Sequence, residues 1–295
     1  SKGFAGVLAG RLVQEGALRW DDLVQRHYPQ FTLRDRKQAA RIRLWHLLSH
    51  TTGLPYHAYT NLIEEKYSIP RIVQEYFPKA PICGREGEFY SYQNAAFCVA
   101  EEVMRGATGR GYGELLREKI LIPAGMASAS CDFASMQAAA NHALPHFFSG
   151  YGWRADSISP LYYNAAAAGG VNASIADMGE WLRLLLGYRP EVVADSTLER
   201  VFRPVVRTDK ERRLFPGWIA RDQAFYAMGW RSLVTPQGDT LAYHAGYVNG
   251  FKGEIALSRR ERLGVCMLFN AHTELSKRCI PEFFEQWQAF SGAQQ

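Results

Sequence analysis

No stretch of this 295-residue chain is apolar for long enough to cross a bilayer. There is no internal repeat and no low-complexity tract, which excludes solenoids and disordered linkers. The five cysteines, Cys83, Cys98, Cys131, Cys266 and Cys279, are odd in number and none forms Cys-x-x-Cys. No disulfide framework follows, and Cys98 and Cys266, set in apolar runs, are expected as buried thiols. An excess of either charge is lacking: the net is +5. The basic residues Arg34, Arg36, Lys37, Arg41 and Arg43 gather but read as a solvated connecting face, so no nucleic-acid partner is called for. His46 and His50 stand four apart, as do His142 and His146, but no glutamate follows His46 and Pro145 breaks the second pair. A histidine metal hydrolase can be drawn from them, yet no metal site is expected. Gly169-Gly170 lacks the lysine and context of a phosphate loop, and no cofactor is required. No signal peptide is present. Ser1 to Gly6 read as a helix already under way, with the true N-terminus expected upstream. An export signal there would make the protein periplasmic or secreted; without one it would be cytoplasmic.

What is present is an ordinary globular composition, 47% apolar and 21% charged, in a chain long enough for one large domain or two interleaved ones. Phe4, Val7, Leu8, Leu12 and Val13 space a first helix over Lys2 to Gln14. Ala95 to Met104 is helical, and Ser174 opens a helix with Asp177 in its first turn. Asn141 to Ala168 is aromatic and aperiodic and reads as loops over a cleft. Tyr226 to Val234, Thr240 to Ala245, Lys252 to Leu257 and Leu263 to Phe269 are strand-like, separated by turns at Pro236 to Asp239 and Ser258 to Arg262. They predict an antiparallel meander. An amphipathic helix from Leu275 closes the chain, and the first and last helices are expected to pack on this sheet. The division is residues 1–16 with 223–295 as a sheet domain, and 17–222 as an inserted, mainly helical domain, with the cleft between them.

Three places carry chemistry. Lys2 lies on the first helix, Tyr92-Gln93-Asn94 at a helix entry, and His244-Ala245-Gly246 on a strand. A serine hydroxyl needs a neighbouring base. A tyrosine serves as one only beside positive charge, which a desolvated lysine supplies.

In this order the motifs resemble the serine β-lactamase and penicillin-binding-protein superfamily on its class C side, which also holds esterases and D-amino-acid peptidases. Ser1-Lys2 resembles the end of a Ser-x-Ser-Lys motif. Leu44 to Pro55 is similar to a family signature, Tyr92-Gln93-Asn94 matches Tyr-x-Asn, and Pro123 to Met126 resembles Pro-Leu-Gly-Met. Ala168 to Leu182 resembles a Gly-Gly-then-helix segment, and His244-Ala245-Gly246 with Gly250-Phe251 resembles a His-x-Gly variant of the third motif.

The resemblance implies an α+β, β-lactamase/transpeptidase-like fold. It implies Lys2 as the motif lysine, Tyr92 as general base and later acid, and Asn94 binding a substrate carbonyl or Lys2. His244, Ala245 and Gly246 would line the strand along which substrate lies, and the Tyr247 amide would be one oxyanion donor. Trp153, Tyr162, Tyr163, Trp230 and Phe251 are candidates to line the cleft. Two departures matter. The nucleophile belongs three residues before Lys2, so the chain from Ser1 would be inactive by itself, and the family's N-terminal strands are missing, leaving a bare sheet edge. The third motif has His244 in place of lysine, which favours esters or peptides over efficient β-lactam hydrolysis. The expectation is a serine hydrolase acting through an acyl-enzyme on a small acyl, peptide or β-lactam substrate. The alternative is a non-catalytic, ligand-binding relative of the same fold.

Overall fold

A computed structural model describes residues 1–208, 223–234 and 238–292. The first helix, Lys2–Gln14, has ten buried residues among its thirteen, so it is central rather than one-sided. Its Phe4 ring stacks on Trp181 at 4.0 Å, which ties it to the helix Ile175–Leu185. That second helix starts as expected: Ser174 accepts from the Asp177 amide, and the Asp177 carboxylate accepts from the Ser174 amide.

The strands are β1 (His146–Phe148), β2 (Trp153–Ala155), β3 (Val206–Arg207), β4 (Ala224–Tyr226), β5 (Arg231–Val234), β6 (Thr240–Val248), β7 (Phe251–Ser258) and β8 (Leu263–Phe269). β1 and β2 form a hairpin inside the stretch read as loops. The other six build one antiparallel sheet in chain order, an α+β architecture with the meander the sequence predicts. The turn expected at Pro236 to Asp239 falls in part on residues outside those described.

Two corrections bear on the site. The run Tyr226 to Val234 is two strands, not one. The chain reverses at Ala227–Trp230, where the Ala227 amide donates to the Trp230 carbonyl at 2.7 Å. Gly229 sits there at φ +79°, and a Cβ on it would lie 2.3 Å from the Lys2 carbonyl oxygen. Gly6 faces the same turn, where a Cβ would come within 1.9 Å of the Met228 carbonyl. The second correction is that β6 runs to Val248, past Ala245. Val248 pairs with Phe251, and Asn249 and Gly250 between them both take positive φ, a two-residue turn whose twist suits the flanking strands.

The two faces of the sheet belong to different cores. Ala242, Ile255 and Leu257 share a core with the first helix, while Leu241, Tyr243 and Ala256 pack with Cys279, Ile280 and Phe284 of the last helix, Leu275–Gly292. The alternation follows from the two-residue period of a strand.

Candidate active site

Lys2 is 3% exposed. Its Nζ donates to Asn94 Oδ1 at 2.8 Å and to the Ala168 carbonyl at 3.1 Å, and it lies 4.9 Å from the centre of the Tyr92 ring. A buried ammonium needs such acceptors. The acceptors come from two segments: Asn94 begins the helix Asn94–Thr108, and Ala168 lies in the short helix Ala166–Gly169. Ser1 points elsewhere, its hydroxyl accepting from the Val171 amide.

Tyr92 and Gln93 enter the Asn94 helix in extended form. The segment from His50 to His57 clamps this entry. The Ser91 amide donates to the His50 carbonyl, the Gln93 amide to His50 Nδ1 at 3.1 Å, and the His57 amide to the Tyr92 carbonyl. The signature around Leu44 to Pro55 therefore acts by holding the Tyr-x-Asn backbone. His46 and His50 both bond backbone, His46 Nδ1 accepting from the Arg43 amide. Among the described residues no three His, Cys, Asp or Glu side chains group closely enough to hold a metal.

His244 occupies the far wall. Its Nδ1 meets the Ala245 carbonyl at 2.9 Å, so it carries the proton, and Nε2 then accepts from the Tyr226 hydroxyl at 3.1 Å. Burial, then Arg231 and Lys2, hold this imidazole well below its usual range. Burial, then Lys2 and Arg231, do the same to His50. The His50 ring lies tilted 4.3 Å from that of Tyr92 and edge-on 4.7 Å from that of Tyr226. The Arg231 guanidinium lies 5.7 Å from the Tyr92 ring and 5.9 Å from the Tyr226 ring. Among the described residues, the cations set against the Tyr92 ring are Lys2 and Arg231.

Ala245, Gly246 and Tyr247 continue along β6. β5 pairs with β6 only as far as Tyr243, so from His244 to Val248 that edge of β6 has no strand beside it among the described residues. The exposed Tyr247 ring leans on His272 at 5.2 Å. Of the aromatics expected to line the cleft, Trp230 is core, 1% exposed, with its ring against Gly3. Tyr162 sits over Gly169 beside Val248 and donates to Glu64 at 3.1 Å. Sequence reasoning passed over Tyr226 and Arg231, which read as ordinary strand residues. Their only signal is polarity in a strand otherwise buried.

Other proteins share this fold in outline. The chain is 25% identical over 290 residues to "Unguisins hydrolase ungD'" of Aspergillus campestris, covering 94% of this chain and 52% of that protein. It is 28% identical over 189 residues to a D-aminopeptidase of Gluconobacter oxydans, covering 62% of this chain and 32% of that one. The chain spans about half the length of the first curated relatives it matches. Among solved structures, the octameric penicillin-binding protein homologue from Pyrococcus abyssi superposes with a TM-score of 0.79 at 20% identity, over 96% of this chain and 64% of that one. A D-stereospecific amidohydrolase from Streptomyces gives 0.73 at 19%, over 92% and 80%. Over residues 1–282, which take in every group described here, the sequence matches the Beta-lactamase family model, and the chain belongs to that family.

Proposed function

We propose that this chain is the catalytic region of a serine hydrolase of the class C and penicillin-binding-protein type, working through an acyl-enzyme. The nucleophile is a serine three residues before Lys2 in the protein extended upstream, one helical turn away and on the same face. In this reading Tyr92 takes the serine proton as the hydroxyl oxygen attacks the substrate carbonyl, then returns it to the departing group. A water, deprotonated by the same phenolate, hydrolyses the acyl-serine. Lys2 and Arg231 lie against the Tyr92 ring, and Asn94 holds Lys2. The amides of the serine and of Tyr247 receive the oxyanion, a contribution of about 3 kcal/mol each. The uncovered stretch of β6, with Ala245 and Gly246, takes the substrate backbone as an added strand.

The observation that carries this reading is Lys2 itself: a buried ammonium bonded to the Asn94 carboxamide and set against the Tyr92 ring. Esters and D-amino-acid peptides are favoured over β-lactams as substrates. Both nitrogens of His244 are engaged within the protein, so the third motif offers no cation to a substrate carboxylate. Relatives named as a D-aminopeptidase and a D-stereospecific amidohydrolase agree with this choice. The test is intact mass of the upstream-extended protein after a fluorophosphonate. A single adduct on the serine, with labelling slowed about 100-fold or more in Tyr92→Phe, is the expected result. An upstream residue without a nucleophilic side chain, or ligand-induced stabilisation without an adduct, would establish the non-catalytic alternative.

A further inference from the structure

Lys2 has two acceptors, and the second, the Ala168 carbonyl, is a backbone group in a four-residue helix. Something must fix that carbonyl. The Ala167 amide, two peptide units before it in the same helical turn, donates to Glu101 Oε1 at 2.8 Å. Glu101 belongs to the helix that begins at Asn94. Seven residues separate the two, about two turns, so both lie on one helix face. Cys98 stands between them on that face, its thiol meeting Glu101 and the Ala168 amide. Glu101 is half-buried and forms no salt bridge among the described residues. A carboxyl placed there without a salt-bridged cation is unfavourable unless its hydrogen bonds are needed.

We propose that Glu101 is a positioning residue: by anchoring the Ala167 amide it sets where the Ala168 carbonyl meets Lys2, so that one face of the Asn94 helix governs both acceptors of the ammonium. The catalytic consequence rests on the role given above to Lys2. The positioning itself does not.

Protonation of Glu101 modulates the anchor. Burial pushes its carboxyl up to about 7, against the bonds from Ala167 and Cys98. The other titratable groups facing it are Glu102 and Arg105 on its own helix, Tyr112, and Cys131. Near neutral pH the anchor therefore passes from a charge-assisted acceptor to a weaker neutral one as pH falls.

The experiment uses the full-length protein with Glu101→Ala and Glu101→Gln, whose amide oxygen can still accept from Ala167. One measurement needs no turnover: competitive acetylation of Lys2, quantified by peptide mass spectrometry. The other is kcat and KM for an activated ester across pH. In Glu101→Ala, Lys2 labelling should rise about tenfold, with kcat falling about tenfold at little-changed KM, the loss of roughly one good hydrogen bond. Glu101→Gln should restore both, while removing the inflection near pH 7 in the labelling and rate profiles of the wild type. Unchanged Lys2 labelling in Glu101→Ala overturns the proposal. If that variant does not fold, a pH inflection in Lys2 labelling that persists in Glu101→Gln overturns it instead. A wild type that hydrolyses nothing while Lys2 labelling still responds to Glu101 sinks the assignment of function and leaves the positioning role standing.

Discussion

His244 shows how much one residue's meaning depends on its neighbours. A histidine in the third motif reads from sequence as a weaker cation than lysine. The Tyr226 hydroxyl and the Ala245 carbonyl make it a neutral group with both nitrogens engaged. Tyr226→Phe removes the donor and leaves Nε2 buried without a partner, an expected loss of about 1–3 kcal/mol in stability. Denaturant unfolding would measure it, and no change would mean that the hydroxyl contributes nothing to holding the imidazole. Arg231→Gln should slow reaction with a fluorophosphonate about tenfold by removing a guanidinium 5.7 Å from the Tyr92 ring, and equal rates would show that this charge does not act on Tyr92. Lys2, Tyr92, Asn94 and His244 were legible because their motifs carry rare residue combinations. Tyr226 and Arg231 were not, because their importance lies in a ring and a guanidinium that reach across from separate strands to Tyr92, and no spacing rule connects them to it.

At the scale of elements, alternation and turn residues made the meander readable, and the bounds expected for β8 are those observed. The reading failed at the β4–β5 reversal because Ala227-Met228-Gly229-Trp230 carries one glycine and no polar turn residue. These residues are apolar because the turn is buried against the first helix: Ala227 and Met228 are 0% exposed. Tertiary burial thus erased the local signal. The same contact gives a test. Gly6→Ala puts a methyl where the Met228 carbonyl stands, so the helix and turn must part, at a cost of about 2–4 kcal/mol. A midpoint shift in urea with unchanged slope is expected. Stability equal to wild type would show that the turn moves aside freely. The end of β6 was missed for the opposite reason: Gly246 weakens the strand pattern, and only the Asn249-Gly250 turn fixes where pairing stops.

Across the whole molecule, buried ionisable groups pull in opposite directions with pH. His50 and His244 are held well below 6.5, and burial lowers His46 to about 4. In the unfolded chain these imidazoles take up protons below 6.5, so the stability they leave intact above that pH is lost as pH falls through it. Glu101 is raised from 4.5 to about 7. Its folded form keeps a proton that the unfolded chain releases, so its contribution is greatest below 4.5 and is lost as pH rises towards 7. Between pH 4.5 and 6.5 the three imidazoles outweigh the single carboxyl, and wild-type stability should fall on acidification. Glu101→Gln should make that fall steeper by about one proton, roughly 1.4 kcal/mol per pH unit. Urea titrations at several pH values would read this directly, and a parallel pair of curves would place the Glu101 carboxyl in its ordinary range.

The two bonds on Lys2 span 92 and 166 residues of chain. Neither can form until loops of that size have closed, and closure entropy must be met by contacts made elsewhere. The contacts of Lys2 are therefore made only when the first helix has been enclosed by segments synthesised long after it. On the role proposed for Lys2, the chain acquires that role only once its later segments have been made and have closed on the first helix.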